Sequence, residues 1–141
     1  MIIMVTLLIG KKGSGKTKRL IEEANAAVES SKGSVVVVEK GSKLTYDLTH
    51  KARLIDSDEC KISGYDALYG LLSGICASNY DVTDIFVDST FKIAGNDGEQ
   101  LKEFVNKLNY LADEFSTAIV LLISSAKEDL PTDINATLEE L

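Results

Sequence analysis

The chain has 141 residues, 45% of them apolar, which is enough for one domain of residues 1–141 with a core of its own. Its net charge of −7 is uneven: residues 1–53 hold ten Lys/Arg and five Asp/Glu, residues 54–141 hold five and seventeen, so the balance runs from +5 to −12. The acidic remainder argues against a broad nucleic-acid surface, which has a basic footprint.

The first expected element is the run Met1-Ile2-Ile3-Met4-Val5-Thr6-Leu7-Leu8-Ile9. Nearly unbroken apolar character suits a parallel strand buried on both faces. Gly10-Lys11-Lys12-Gly13-Ser14-Gly15-Lys16-Thr17 follows and matches G-x-x-x-x-G-K-[ST] at every specified position. Each residue type in this spacing answers a need of a polyphosphate. The glycines let backbone N–H groups turn inward around a phosphate. Lys16 can reach the β- and γ-phosphate oxygens, and the Thr17 hydroxyl can join the coordination shell of Mg²⁺. Lys11, Lys12 and Lys18 add positive charge around the loop, and Gly10, Gly13, Ser14 and Gly15 supply its backbone. From Thr17 to Ser30, Leu20, Ile21, Ala24, Ala27 and Val28 recur at helical spacing, so a helix N-terminus meets the anion.

Ser34–Val38 reads as a second buried strand, with Glu39 at its end. Residues 40–62 are polar and mixed, with a short strand expected at Arg53–Ile55. Ser63 is expected to cap a helix, with Asp66 three residues on and Leu68, Leu71, Leu72, Ile75 and Cys76 along one face. Asp84–Asp88 reads as the third strand, and residues 89–97 as a loop. Asp97 is expected to cap the next helix, where Leu101, Phe104, Val105, Leu108, Leu111, Ala112 and Phe115 keep the helical period closely. Ala118–Ile123 is the fourth strand, followed by Ser124 and Ser125. The tail from Pro131 fits a short helix, an edge strand or a loose end.

Strands alternating with helices imply an open, mostly parallel α/β sheet with helices on both faces. Ligands of such sheets sit at the carboxyl ends of the strands. That selects Gly10–Thr17, Glu39, Asp88 and Ser124. Asp88 closes the apolar strand Ile85-Phe86-Val87, the Walker B pattern, whose Asp holds Mg²⁺ directly or through water. Ser89 follows it where many ATPases carry a glutamate, so Glu39 is the candidate for orienting the attacking water. Ser124 can sense a γ-phosphate if its strand lies beside the first. Cys60, Cys76 and the lone His50 cannot supply a four-ligand zinc site by themselves, and both cysteines read as reduced.

On Gly10–Thr17 and Ile85–Asp88 the chain resembles the P-loop NTPase superfamily over most of its length. Val35–Glu39 and Asp88-Ser89-Thr90-Phe91 make it somewhat similar to a RecA-like or thymidine-kinase-like core. It departs from thymidine kinases in lacking a cysteine-rich zinc element. It departs from nucleotide kinases in having only Arg19 and Arg53, and from GTPases in lacking D-x-x-G. The resemblance implies an ATPase that binds ATP with Mg²⁺, and hydrolysis is expected to be slow because the sequence shows no adjacent glutamate after Asp88 and no arginine finger. Two other readings stay open: a small-molecule kinase whose acceptor sits near residues 40–62 and 89–97, and a nucleotide-gated binding module without turnover. A cytoplasmic location is expected, because no basic stretch precedes the apolar N-terminus and no segment reaches the roughly 20 apolar residues of a membrane span. A protein partner and the oligomeric state are left open.

Overall fold

The computed structural model describes residues 3–141; Met1 and Ile2, the start of the first apolar run, lie outside the described residues. In chain order the elements are β1 (Val5–Gly10), α1 (Lys16–Ser30), β2 (Ser34–Glu39), β3 (Arg53–Asp56), α2 (Tyr65–Ser78), β4 (Val82–Val87), α3 (Thr90–Ala94), α4 (Gly98–Phe115), β5 (Ala118–Ser124) and β6 (Thr137–Glu140), with a single 3₁₀ turn at Lys127–Asp129. The strands form one sheet of order β3-β2-β4-β5-β1-β6, and every pairing is parallel. Parallel pairing brings all the strand ends that carry chemistry to one edge.

Both faces of the sheet are covered, which explains the apolar runs of β1, β2 and β5. Leu8, Val35, Val37, Phe86 and Leu122 pack against Leu20 and Ala24 of α1 and against Leu44 and Leu48, which follow β2. Leu7, Ile9, Val36, Val38, Ile85, Leu121 and Ile123 pack on the other face against Leu68 and Leu72 of α2 and Leu101, Phe104, Val105 and Leu108 of α4. Each such fully buried aliphatic side chain contributes about 1.5–3 kcal/mol relative to exposure. Among the described residues no helix is long and apolar enough to cross a membrane.

Four local expectations meet different outcomes. Asp97 caps α4, its carboxylate accepting from Glu99 N at 2.9 Å and Gln100 N at 3.1 Å. Ser63 does not cap α2. Gly64 occupies that position at φ +93° without a side-chain cap, and its N–H donates to Ile93 O at 3.0 Å instead. Residues 89–97 are not all loop, because Thr90–Ala94 form α3, which buries Thr90 and Ile93. The tail becomes an edge strand: Thr6↔Thr137 to Ile9↔Glu140 extend the sheet beyond β1.

One side chain ties this edge together. Asn109 is fully buried on α4. Its Oδ1 accepts from Met4 N (3.0 Å) and Val5 N (3.3 Å), and its Nδ2 donates to Asn135 O at 2.6 Å. Asn109→Leu keeps the approximate volume but orphans these backbone groups. It should cost about 2 kcal/mol, read as a lower denaturant midpoint at unchanged slope. An unmoved midpoint would show that water or the chain re-satisfies those groups.

Candidate functional site

The change from strand to helix after β1 is made by glycines. Gly13 and Gly15 lie at φ +86° and +94°, where a Cβ is strained. Gly10 is needed for space, since a Cβ there would collide with Ser14 Oγ. Gly15 is the N-cap of α1 and carries no side chain, so the first N–H groups of the helix are not consumed by a cap. The loop is braced by Ser14 N donating to Lys11 O at 3.0 Å. Ser14 Oγ is buried with no hydrogen-bond partner.

Lys16 is only 8% exposed although it is a lysine. Its ammonium donates to Lys11 O at 3.2 Å. Burial pushes its pKa below the ordinary lysine value, and the charge of Asp88 opposes that shift. A buried ammonium held by one carbonyl is under-solvated and favours an anion.

Asp88 arrives from the other side of β5. Its N–H donates to Val38 O at 2.8 Å, so it continues the β4–β2 ladder by one residue. Thr17 Oγ1 donates to Asp88 Oδ1 at 3.3 Å, across 71 positions of chain. Ser89 Oγ donates to Asp88 Oδ2 at 3.0 Å. Two oxygens meant to be neighbouring ligands of octahedral Mg²⁺ stand about 2.9 Å apart when each Mg–O bond is about 2.05 Å. The Thr17–Asp88 separation is within a few tenths of an ångström of that, so the pair fits the ion directly or through one water. Among the described residues no cluster of three or more His, Cys, Asp or Glu offers a competing metal site.

These groups border a cleft of about 470 Å³. Lys12, Lys16 and Lys18 line it from the loop and α1, Asp88, Ser89, Phe91 and Lys92 from β4 and α3, and Leu122 and Ser124 from β5. Four lysines therefore face one carboxylate in a protein of net charge −7. Ser124 is brought in because β5 does lie beside β1, with Gly10↔Ser124 in register. A second cleft of similar volume lies between α2 and α4, but Asp66, Glu103 and Lys107 give it mixed charge and it holds none of the residues of Gly10–Thr17.

Lys11 offers its carbonyl to the site and does not line the cleft. Glu39 stands next to Asp88 in register, one residue beyond Val38↔Val87. It does not line the cleft either. Its carboxylate is buried and accepts from Leu44 N at 3.1 and 3.4 Å, beneath the turn that follows β2. Burial pushes its pKa up, bonds from the Leu44 and Lys43 backbone pull it down, and the like charges of Asp88 and Asp56 push it up further. The kinase acceptor region at residues 40–62 contributes nothing to the cleft, whereas Ser89, Phe91 and Lys92 of the second acceptor segment do. Sequence reading had not singled out Lys92. The available signal was its place in the short segment that follows directly on Asp88 and Ser89 at the carboxyl end of β4. No protein-family model matches the chain, and no curated protein is similar to it.

Proposed function

We propose that the protein binds ATP with Mg²⁺ in this cleft and hydrolyses it slowly. The observation that carries the reading is the closure of Thr17 Oγ1 onto Asp88 Oδ1 beside the buried Lys16, at the end of a glycine loop that opens a helix. An anion-binding turn alone needs neither a hydroxyl nor a carboxylate at that point. A magnesium-bound polyphosphate needs both.

In this reading the N–H groups of Gly13, Gly15 and Lys16 and the positive end of α1 hold the phosphates, and Lys16 neutralises their charge. Bound Mg²⁺ would be held by Thr17 and Asp88 and would offset charge on the β- and γ-phosphate oxygens. The attacking water's oxygen bonds to the γ-phosphorus, and for Glu39 to take its proton the carboxylate must leave Leu44 N and turn into the cleft. The bond from that phosphorus to the β–γ bridging oxygen breaks, and ADP leaves with the electron pair. The cleft contains no arginine, which accords with slow turnover. A protein partner that supplies one would accelerate it.

Mass spectrometry of nucleotide co-purifying with the protein, followed by a phosphate-release assay with and without candidate acceptors, tests the reading. Release without an acceptor supports the ATPase. ADP formed only with an acceptor, with the phosphate on the acceptor and none released free, moves the kinase ahead. Binding without release moves the nucleotide-gated module ahead, and absence of binding ends all three. A sharper check lies at Asp88. Asp88→Asn keeps the hydrogen bond from Thr17 and removes the charge, so ATP affinity should lose most of its magnesium dependence while the fold persists. The ratio of dissociation constants with and without Mg²⁺ decides this, and an unchanged ratio would remove Asp88 from the metal site.

A further inference from the structure

We propose that Lys92 makes the cleft selective for nucleoside triphosphates over diphosphates by meeting the terminal phosphate from the α3 side. The inference rests on the nucleotide reading above and assigns a residue and a discrimination to it.

The argument begins with where cations come from. Of the four lysines that line the cleft, Lys12, Lys16 and Lys18 belong to one stretch of chain, the loop and the first turn of α1. They serve whatever phosphates enter the loop. Lys92 is the fourth, and it comes from a different element. Strand order places β5 between β1 and β4, so the P-loop and α3 flank the end of β5, where Ser124 lies. A phosphate chain gripped by the loop and extending past Asp88 next meets α3. Neither arginine can take this role. Arg19 is paired with Glu23 at 2.8 Å and Glu139 at 3.6 Å, and Arg53 sits on the edge strand β3.

The second part of the argument is that α3 is held in place. Five residues do not make a stable helix by themselves. Here Thr90 and Ile93 are buried at i, i+3 spacing, which turns Phe91 and Lys92 towards the cleft. Gly64 N donates to Ile93 O at 3.0 Å, and Tyr65 Oη donates to Gly95 O at 2.7 Å, so the start of α2 clamps the far end of α3. At the near end Ser89 adopts φ +58°, a left-handed conformation unusual for a side-chain-bearing residue, and its hydroxyl holds Asp88 Oδ2. Strained backbone of this kind persists where the surroundings enforce it and clusters at functional sites. Among the described residues Lys92 makes no ion pair that would occupy its ammonium.

The test is equilibrium binding of ADP and of a non-hydrolysable ATP analogue, both with Mg²⁺, to wild type, Lys92→Gln, Lys92→Arg and, as a charge-matched control, Lys51→Gln. Wild type should bind the triphosphate more tightly than the diphosphate. In Lys92→Gln that ratio should fall about tenfold, the lower end of what one hydrogen bond to a charged group contributes. Lys92→Arg should keep most of it, and Lys51→Gln should leave it at the wild-type value. Melting curves without ligand should coincide, since Lys92 is exposed. Equal losses for both nucleotides in Lys92→Gln, or an unchanged ratio, would overturn the role of Lys92 and leave the nucleotide site standing. A wild type that binds neither nucleotide would overturn both.

Discussion

Millimolar Mg·ATP should raise the melting temperature of the wild-type protein by roughly 5–10 °C, and Lys16→Ala should abolish the rise. A ligand present at about 100 times its dissociation constant adds about 2.7 kcal/mol to the folded state. The loss in Lys16→Ala is expected to be complete because the ammonium lines the cleft from the loop and its one hydrogen bond is to the Lys11 carbonyl. Removing it takes away the least exposed of the cations that the loop and the first turn of α1 hold at the cleft. The unliganded variant should be no less stable than wild type, since burial works against the charged amine. The pH dependence has a definite sign. The folded pKa lies below the ordinary lysine value of 10.5, and the anion binds the protonated form. The stabilisation by ATP should therefore weaken as pH rises through that lowered value, and so before 10.5 is reached. A shift of the same size in wild type and Lys16→Ala would place the nucleotide elsewhere. No shift in wild type at millimolar ligand would count against nucleotide binding altogether.

Much of the architecture could be read from local pattern, because β1, β2, β5 and the Ile85–Val87 end of β4 are covered on both faces and so are largely apolar. Their abrupt alternation with helical periods fixed the α/β class. The loop from Gly10 to Thr17 was legible because each constrained position admits few residue types. What was missed lies where tertiary structure decides. The four residues Thr137–Glu140 hold one apolar side chain, Leu138, so the sequence left three readings open, and the edge strand is selected because the edge of β1 is free to pair. Thr90–Ala94 are too few to show a period and are helical because α2 holds them. Ser63 looked like a cap, but the N–H groups it was to satisfy begin one residue later, after a glycine at φ +93°. Asn109 had a helical position and nothing in the sequence to mark it. Its role depends on Met4, Val5 and Asn135, which the fold brings to it. At the site, Asp88 and Ser124 could be placed by strand-end logic. The side chain of Glu39 could not, because whether a strand-end carboxylate faces the cleft or the next turn depends on the loop that follows.

Glu39→Gln should lower ATP hydrolysis by about 10²-fold, the usual scale for removing a general base, while leaving ATP affinity nearly unchanged. The register sets Glu39 beside Asp88 at the carboxyl ends of the strands, outside the residues that line the cleft. Its pKa is raised, chiefly by burial, which makes the carboxylate a better proton acceptor than an exposed one. Its present bond to Leu44 N does not exclude this role, since catalytic contacts often tighten only when substrate is bound. The same bond makes the substitution clean. A glutamine oxygen can still accept from Leu44 N, so the turn beneath which Glu39 lies should hold, and unliganded melting curves should show it. A base must be ionised to act, so the wild-type rate should climb as pH rises through the raised pKa of Glu39, above the ordinary 4.5, and Glu39→Gln should lose that limb of the profile. Full activity in a well-folded Glu39→Gln would make the carboxylate an anchor for the 41–48 turn and nothing more. A wild type that binds ATP tightly and releases no phosphate would make Glu39 irrelevant to turnover and move the nucleotide-gated module ahead of the ATPase.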